Sequence, residues 1–297
     1  MDRLAYSDSR SNSRLAAWMV GAISLTFVAV AQSRPVAAAD SCRFISDSLK
    51  IDGVLDEVAW NYIDTLTMVR NNDPTGGMPG VVTKILTGWN RTYLYTAFIA
   101  DTRNVKGTLT KHDASLYTED VVEMFIDFDG DSKNYVELEW NCLGTVLDMT
   151  YTGVLTGANL AWSPLGALMA VQVKGTANKS SDVDTGWIVE IGLPWSALQP
   201  FSKVALPPKR GDKMAVNFYR IDHSASGEEL MAWSPTGVAN FHRPDKFGSL
   251  TFSESPVSNL AHQRPLIHRK FLLGFSRRGN IETIFSAIGQ RFSSLDK

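Results

Sequence analysis

The stretch VVEMFIDFDGDSKNYVELEWN, residues 121–141, places acidic side chains at alternate positions: Glu123, Asp127, Asp129, Asp131, Glu137 and Glu139. Alternation is the strand period, so in extended chain each run presents its carboxylates on one face. Three chemistries use carboxylates so arranged. Paired glutamates act as acid and base on a glycosidic bond when they stand roughly 5–9.5 Å apart. Glu137 and Glu139, next but one on a strand, have attachment points separated by about 6.6–6.8 Å. Asp127, Asp129 and Asp131 offer hard oxygen ligands to calcium. Carboxylates beside aromatic rings can also order the hydroxyls of a sugar through charge-assisted hydrogen bonds.

Each chemistry has a plainer counterpart. Any Glu-x-Glu strand meets the first spacing, and a flat sheet face lacks the enclosure that raises a carboxyl pKa. The acidic turn departs from the EF-hand pattern, because its glycine is fourth rather than sixth and Leu138 stands at position twelve; Asp and Gly also supply a hairpin turn without any metal. A glutamate-bearing outer strand face is ordinarily solvated. The sequence contains no Gly-x-Ser-x-Gly elbow, no His-Glu-x-x-His and no phosphate loop. Methionine and histidine could hold haem, and Met124, Met149, Met214, Met231, His112, His223 and His242 are available, but no Cys-x-x-Cys-His attachment is present.

The elements that must position these groups have period two. TKILTGW, TYLYTAFIAD, VVEMFIDF, NYVELEWN, TVLDMTY, MAVQVKG, GWIVEIGL, KMAVNFYRID and GSLTF all have strand character, separated by turns such as GWNRT, DGDSKN, ANKSSDVDTG and PPKRGD. Helical signals are limited to LDEVAW and to PWSAL, with Pro194 opening the turn. Short strands without intervening helices predict an all-β antiparallel β-sandwich or open barrel with few short helices. In the stretch 121–141, Val122, Met124, Ile126, Phe128, Val136, Leu138 and Trp140 are predicted to face the core. Val121, Glu123, Phe125, Asp127, Tyr135, Glu137, Glu139 and Asn141 then share the opposite face, and a hairpin across the acidic turn brings Glu123, Glu137, Glu139 and Tyr135 within reach of one another.

The 297 residues, 44% hydrophobic and 20% charged, suffice for a proper core. A formal net charge of −2 from 29 basic and 31 acidic residues creates no overall field that would attract nucleic acid or an anionic membrane. Residues 1–39 have the pattern of an export signal: Arg3, Arg10 and Arg14, an apolar run from Leu15 to Ala31, then small residues, with a cut expected after Ala39 or after Ala31. A retained anchor is the alternative, and no second span follows. The expected location is therefore secreted, periplasmic or cell-surface, with no stable membrane span once the signal is removed. An oxidising compartment would permit Cys42 and Cys142 to pair across a loop of about 100 residues, worth up to roughly 4.7 kcal/mol; a terminal thiol and a separate buried one is the alternative. Asn90 and Asn178 begin glycosylation sequons. Residues 254–297 form a basic tail.

Six ordered blocks, IDGVLDEVAW, LYTAFIADTRN, LYTEDVVEMFIDFDGDSKNYVELEWNCLGTVLDM, GWIVEIGLPWSAL, GDKMAVNFYRID and WSPTGVANFHRPDKFGSLTF, together resemble the carbohydrate-binding module family 9 (CBM9-like) domain of the DOMON-like sandwiches over residues 44–253. The resemblance implies a β-sandwich of jelly-roll type that binds a saccharide without catalysis, at the ends of glucan or xylan chains. It places the ring-clamping aromatics at Tyr117 and Phe241, where the family usually has tryptophan, and its sheet carboxylate at Glu123. The strand that supplies a ligand arginine in the family carries Glu137 and Glu139 instead. Tyr219 or Arg220 falls in the region of a sugar-contacting glutamine, the strand phase deciding between them, and a buried, paired Arg220 is the alternative. Trp233 and His242 are further candidates at the same end, whereas Trp60, Trp187 and Trp195 fall in apolar blocks and are expected in the core. Family members bind structural calcium, which keeps Asp127, Asp129 and Asp131 as candidates; no other cofactor is required. The domain is commonly fused to glycoside hydrolases, so a hydrolytic role through the paired glutamates and a haem-binding role are the alternatives to carbohydrate binding.

Overall fold

Alternating apolar residues bury one strand face and leave the other for different use, and the computed structural model of the protein shows how thirteen such strands share one sheet. It describes residues 37–73, 75–223 and 227–254, together with a separate strand pair, β14 (Ile284–Phe285) and β15 (Arg291–Phe292). The expectations for residues 1–36 and for the tail beyond 254, that pair apart, lie outside the described residues. Among the described residues no helix is long and apolar enough to cross a membrane.

The strands are β1 (Ala39–Phe44), β2 (Leu66–Thr67), β3 (Val69–Arg70), β4 (Thr83–Trp89), β5 (Tyr93–Ala100), β6 (Val121–Asp127), β7 (Tyr135–Asn141), β8 (Val146–Tyr151), β9 (Leu168–Lys174), β10 (Gly186–Pro194), β11 (Lys213–Asp222), β12 (Glu229–Ala232) and β13 (Gly248–Ser253). They are ordered β8-β7-β6-β11-β13-β1-β4-β5-β10-β9, with β2, β3 and β12 attached at the side. Phe98 on β5 packs against Trp140 on β7, with ring centroids 6.2 Å apart, and against Phe218 on β11 at 5.8 Å. Contacts between such distant strands require the sheet to fold over on itself as a sandwich. Pairing is antiparallel except at β1, which lies parallel to both β13 and β4 and was hidden in sequence by the small-residue run before it.

The predicted core face is the core: Val122, Met124, Ile126, Phe128, Val136, Leu138 and Trp140 are all buried in one cluster with residues of β5 and β10. Trp60, Trp187 and Trp195 are buried as expected. The single α-helical turn, Trp195–Leu198, follows Pro194, and LDEVAW leads into a 3-10 turn over Val58–Tyr62. Cys42 and Cys142 are free, buried thiols whose pKa values burial pushes up to about 12. Asn90 is buried, donating to the Tyr95 hydroxyl and accepting from the Thr92 and Tyr93 amides. Its side chain is thus committed to the fold rather than offered to a glycan.

The opposite face carries the glutamates, for which the sequence leaves open a solvated surface or a ligand-reading one. It is not solvated, since every residue of β6 and β7 is buried on both faces. A second apolar layer covers it, in which Phe125, Tyr135, Tyr151 and Tyr219 from the sheet pack with Leu116, Phe241 and Phe247 from the loops.

Candidate functional site

The strand register aligns the site. Tyr219 on β11 is opposite Glu123 on β6, Glu123 is opposite Glu139 on β7, and Glu139 is opposite Leu147 on β8. The next rung of the same face carries Asn217, Phe125, Glu137 and Met149. Because side chains alternate, these residues all project to one side, where loops 114–119 and 239–242 leave a cleft of about 370 Å³. Tyr117, Glu123, Phe125, Glu137, Glu139, Tyr151, Phe241 and His242 line it, with Leu147, Met149, Ile221, Leu230 and Asn240 completing the walls.

Glu123, Glu137 and Glu139 are 2%, 6% and 1% exposed, and each offers a carboxylate oxygen within 4.8 Å of the others. Glu139 accepts from the Tyr117 amide and Glu137 interacts with the Tyr151 hydroxyl and with Glu139. One oxygen of each remains without a partner among the described residues: Glu123 Oε1, Glu137 Oε2 and Glu139 Oε2. Burial raises the pKa of all three, and the negative neighbours push Glu123 and Glu139 further up. His242 donates no charge to offset them. Burial lowers its pKa to about 4, and its Nε2 lies 3.9 Å from Glu137 Oε2, beyond hydrogen-bond reach. Its Nδ1 is 3.0 Å from the Tyr135 hydroxyl, which in turn accepts from the Leu155 amide. The hydroxyl proton is thereby free for Nδ1, an assignment that puts the ring proton on Nε2.

The two aromatics named from the sequence differ in character. Tyr117, on a 3-10 turn, is 53% exposed at the rim. Phe241 is buried against Tyr219, their rings parallel within 12° and 4.1 Å apart, and the Tyr219 hydroxyl donates to the Phe241 carbonyl. Strand phase is therefore settled: Tyr219 lies on the cleft side, beneath Phe241 rather than on the lining, and Arg220 points to the opposite face. Arg220 is fully buried there and donates to Thr83 Oγ1 at 3.0 Å and to the Asp101 carbonyl at 2.9 Å, with Asp222 at 3.5 Å. Its ion-pair partner among the described residues is thus an aspartate, and Asp120, Asp101 and Glu229 add to the negative field around it. Trp233 is likewise outside the cleft, buried against Phe218, with Gly248 so close that a Cβ there would collide with the indole.

At the acidic turn Asp127, Asp129 and Asp131 each bring a carboxylate oxygen within 4.8 Å of the others. Asp127 is buried and accepts from the Gly130 and Ser132 amides, burial raising its pKa to about 6. The Lys203 ammonium sits on Asp129 at 3.1 Å and also on Asp131, supplying the positive charge that a cation would bring. Among the methionines and histidines considered for haem, Met149 and His242 line the cleft, while Met124, Met214 and Met231 belong to the core.

Tyr151, Leu147 and Asn240 were not singled out from the sequence, and Met149 was considered only as a haem ligand. Tyr151, Leu147 and Met149 follow once β8 is paired to β7, since the register puts Leu147 and Met149 beside the glutamates; Asn240 sits in a loop that no periodicity marks.

Comparison with known proteins places this geometry. The family model described as "Carbohydrate family 9 binding domain-like" matches residues 51–255. Over 207 residues the chain is 24% identical to the exoglucanase XynX of Acetivibrio thermocellus, covering 69% of this chain and 16% of that protein. Over 211 residues it is 23% identical to the endo-1,4-beta-xylanase A of Thermoanaerobacterium saccharolyticum, covering 71% and 16% respectively. The chain thus spans about a sixth of the length of these curated relatives. Two solved structures share the fold. One is from Bacteroides uniformis, named as a candidate carbohydrate-binding protein (TM-score 0.58, 19% identity, 73% of this chain and 100% of that one). The other is a carbohydrate-binding module of family 9 from Caldicellulosiruptor kristjanssonii in complex with cellotriose (TM-score 0.50, 16% identity, 73% and 94%).

Proposed function

The chain belongs to the carbohydrate family 9 binding domain-like family, and from that membership we propose that its cleft binds the ring of an oligo- or polysaccharide without catalysing any reaction on it. The observation that carries this reading is the juxtaposition of an exposed aromatic, Tyr117, and a rigidly backed one, Phe241, with buried carboxylates in a single cleft. A pyranose has apolar C–H faces that pack on rings and a hydroxyl rim that hydrogen-bonds to carboxyl groups. Shape supports the class of ligand, because one concave site with apolar walls and a few convergent polar groups is the ordinary form of a small-molecule pocket.

The carboxyl chemistry supports binding over hydrolysis. A glycosidase needs one carboxyl held protonated and another held ionised. Here burial shifts Glu123, Glu137 and Glu139 all upward; the hydrogen bond between Glu139 and Glu137 opposes this at Glu137 without reversing it, and no lysine or arginine among the described lining residues keeps one of them charged. The match to a segment of an exoglucanase and of a xylanase supports a role in polysaccharide breakdown as a substrate-holding module, and the basic-apolar-small pattern of residues 1–39 supports export.

Isothermal titration calorimetry against cello-, xylo-, manno- and galacto-oligosaccharides tests the reading, with Tyr117→Ala beside the parent chain. Saturable binding that this substitution weakens at unchanged melting temperature is expected. Equal binding by the variant would remove Tyr117 from the site, and no binding by the parent to any saccharide would overturn the reading.

A further inference from the structure

The lining of the cleft is unbalanced in charge. Among the described residues Glu123, Glu137, Glu139 and Glu228 contribute to it, and neither lysine nor arginine does. The arginines next in sequence to lining residues are engaged elsewhere: Arg220 on the far face with Thr83 and Asp101, and Arg243 in a two-pronged bond to Asp245 at 2.8 and 2.8 Å. His242, the one basic group among the described lining residues, is neutral at ordinary pH because burial lowers its pKa to about 4. Buried like charges placed directly across a strand pair, as Glu123 and Glu139 are, destabilise a sheet unless something positive or a proton intervenes.

We infer that the sugar held here is an amino sugar, whose ammonium group seats among Glu123, Glu137 and Glu139; this assignment rests on the saccharide reading above. The number of groups matches. An ammonium has three N–H donors and no acceptor, and three carboxylate oxygens, one on each glutamate, lack a partner inside the cleft. All three side chains are more than nine-tenths buried, so water competes poorly for those oxygens. A neutral hydroxyl brings one donor and no charge, and leaves two of the three unsatisfied.

A bare metal ion fits less well. Calcium takes six to eight oxygens, whereas beyond the three glutamates the lining is chiefly Phe125, Leu147, Met149, Ile221 and Leu230. Those apolar walls, together with Tyr117 and Phe241, suit the C–H faces of a ring that carries the ammonium.

Calorimetry of the full chain with β-1,4-linked glucosamine oligomers, against N-acetylglucosamine and cello-oligomers of equal length, tests the assignment. The cationic series is expected to bind at least about tenfold more tightly, with the advantage shrinking as NaCl is raised. Glu139→Gln, which preserves shape, should bring the two series within about twofold of each other with no fall in melting temperature, by the same affinity arithmetic. Should the substitution unfold the chain, the salt dependence of the parent decides instead. Neutral oligomers binding as tightly as cationic ones would overturn the amino-sugar assignment and leave the saccharide reading standing. A preference that survives Glu139→Gln, or saturable binding of calcium chloride alone that Glu139→Gln abolishes, would also overturn it. If no oligosaccharide of either kind binds, the saccharide reading fails and this inference with it.

Discussion

Glu123 and Glu139 face each other across the β6–β7 pair, both buried and both with an unpartnered oxygen. Their pKa values lie well above the ordinary carboxylate range because burial penalises the charged form and each feels neighbouring acidic groups. The folded chain therefore holds protons that the unfolded chain, with glutamates near pH 4.3–4.5, has released. Stability from these groups is full below about pH 4.5 and is lost as pH rises toward their folded-state values.

Glu139→Gln removes one titrating member, so the variant should melt higher than the parent at pH 8, each kcal/mol appearing as about 2–4 °C in Tm. The gap should narrow toward pH 5. His242 works in the opposite sense, since its folded pKa is lowered and it costs stability as pH falls below about 6.5; it is common to both chains and cancels in the difference. Melting curves across that range check the prediction, and a gap independent of pH would contradict it.

Tyr117 and Phe241 should separate binding from stability. Tyr117 is half exposed and packs on no other ring among the described contacts, so Tyr117→Ala should change stability by less than about 0.5 kcal/mol and weaken saccharide binding about tenfold, some 1.4 kcal/mol. Phe241 is stacked on Tyr219, and Phe241→Ala should cost about 3 kcal/mol in folding as well. Calorimetry and denaturant unfolding of both variants distinguish the two.

Arg220→Ala should destabilise the chain by about 3–5 kcal/mol, the cost of leaving buried partners unmatched, because Arg220 is fully buried among Thr83, the Asp101 carbonyl and Asp222. Below its melting transition the variant should keep the parent's saccharide affinity, since the side chain lies on the face away from the cleft. A loss of affinity in folded protein would place it in the site after all.

Lys203→Ala should create a calcium response that the parent lacks. With the ammonium gone, Asp129 and Asp131 lose their ion-pair partner and Asp131 keeps only the weaker field of Lys133, while Asp127 stays fixed by the Gly130 and Ser132 amides. Calcium at millimolar excess should raise the variant's Tm and leave the parent's within error; a shift in the parent would show that Lys203 yields to the ion.

The sequence made the strands visible because nine of them alternate cleanly, and β4 and β11 keep even their bounds. It made half of the site visible for the same reason, since period two alone puts Glu123, Glu137 and Glu139 on one face. What period two leaves open is whether that face is wet. Phe125, Tyr135 and Tyr219 are interleaved with the glutamates, and only tertiary packing of Leu116, Phe241 and Phe247 over them turns a sheet surface into the wall of a cleft. The choice between Tyr219 and Arg220 also needed a partner, because the pairing of Tyr219 with Glu123 fixes the phase and nothing local does. Tyr117 and Phe241 came from resemblance, their loops having no periodicity of their own. Short β12, at four residues, and β1, placed beside an export-like run, offered too little pattern to be recognised.

The parallel seam of β13, β1 and β4 lies at the middle of the sheet rather than at its edge. Its register joins Ala39 to Ser249 and Arg43 to Ser253, so the first and last strands of the sandwich are neighbours. A chain emerging from the ribosome can close the β4–β5 and β6–β7 hairpins early, but the two flanks of the sheet remain unjoined through β1 until the residues of β13 have been made. Closing so long a loop is entropically costly and slow. The sandwich is thus completed only after β13 has been synthesised, and a truncation before Gly248 should leave a species with two exposed interior strand edges, prone to pair with other copies.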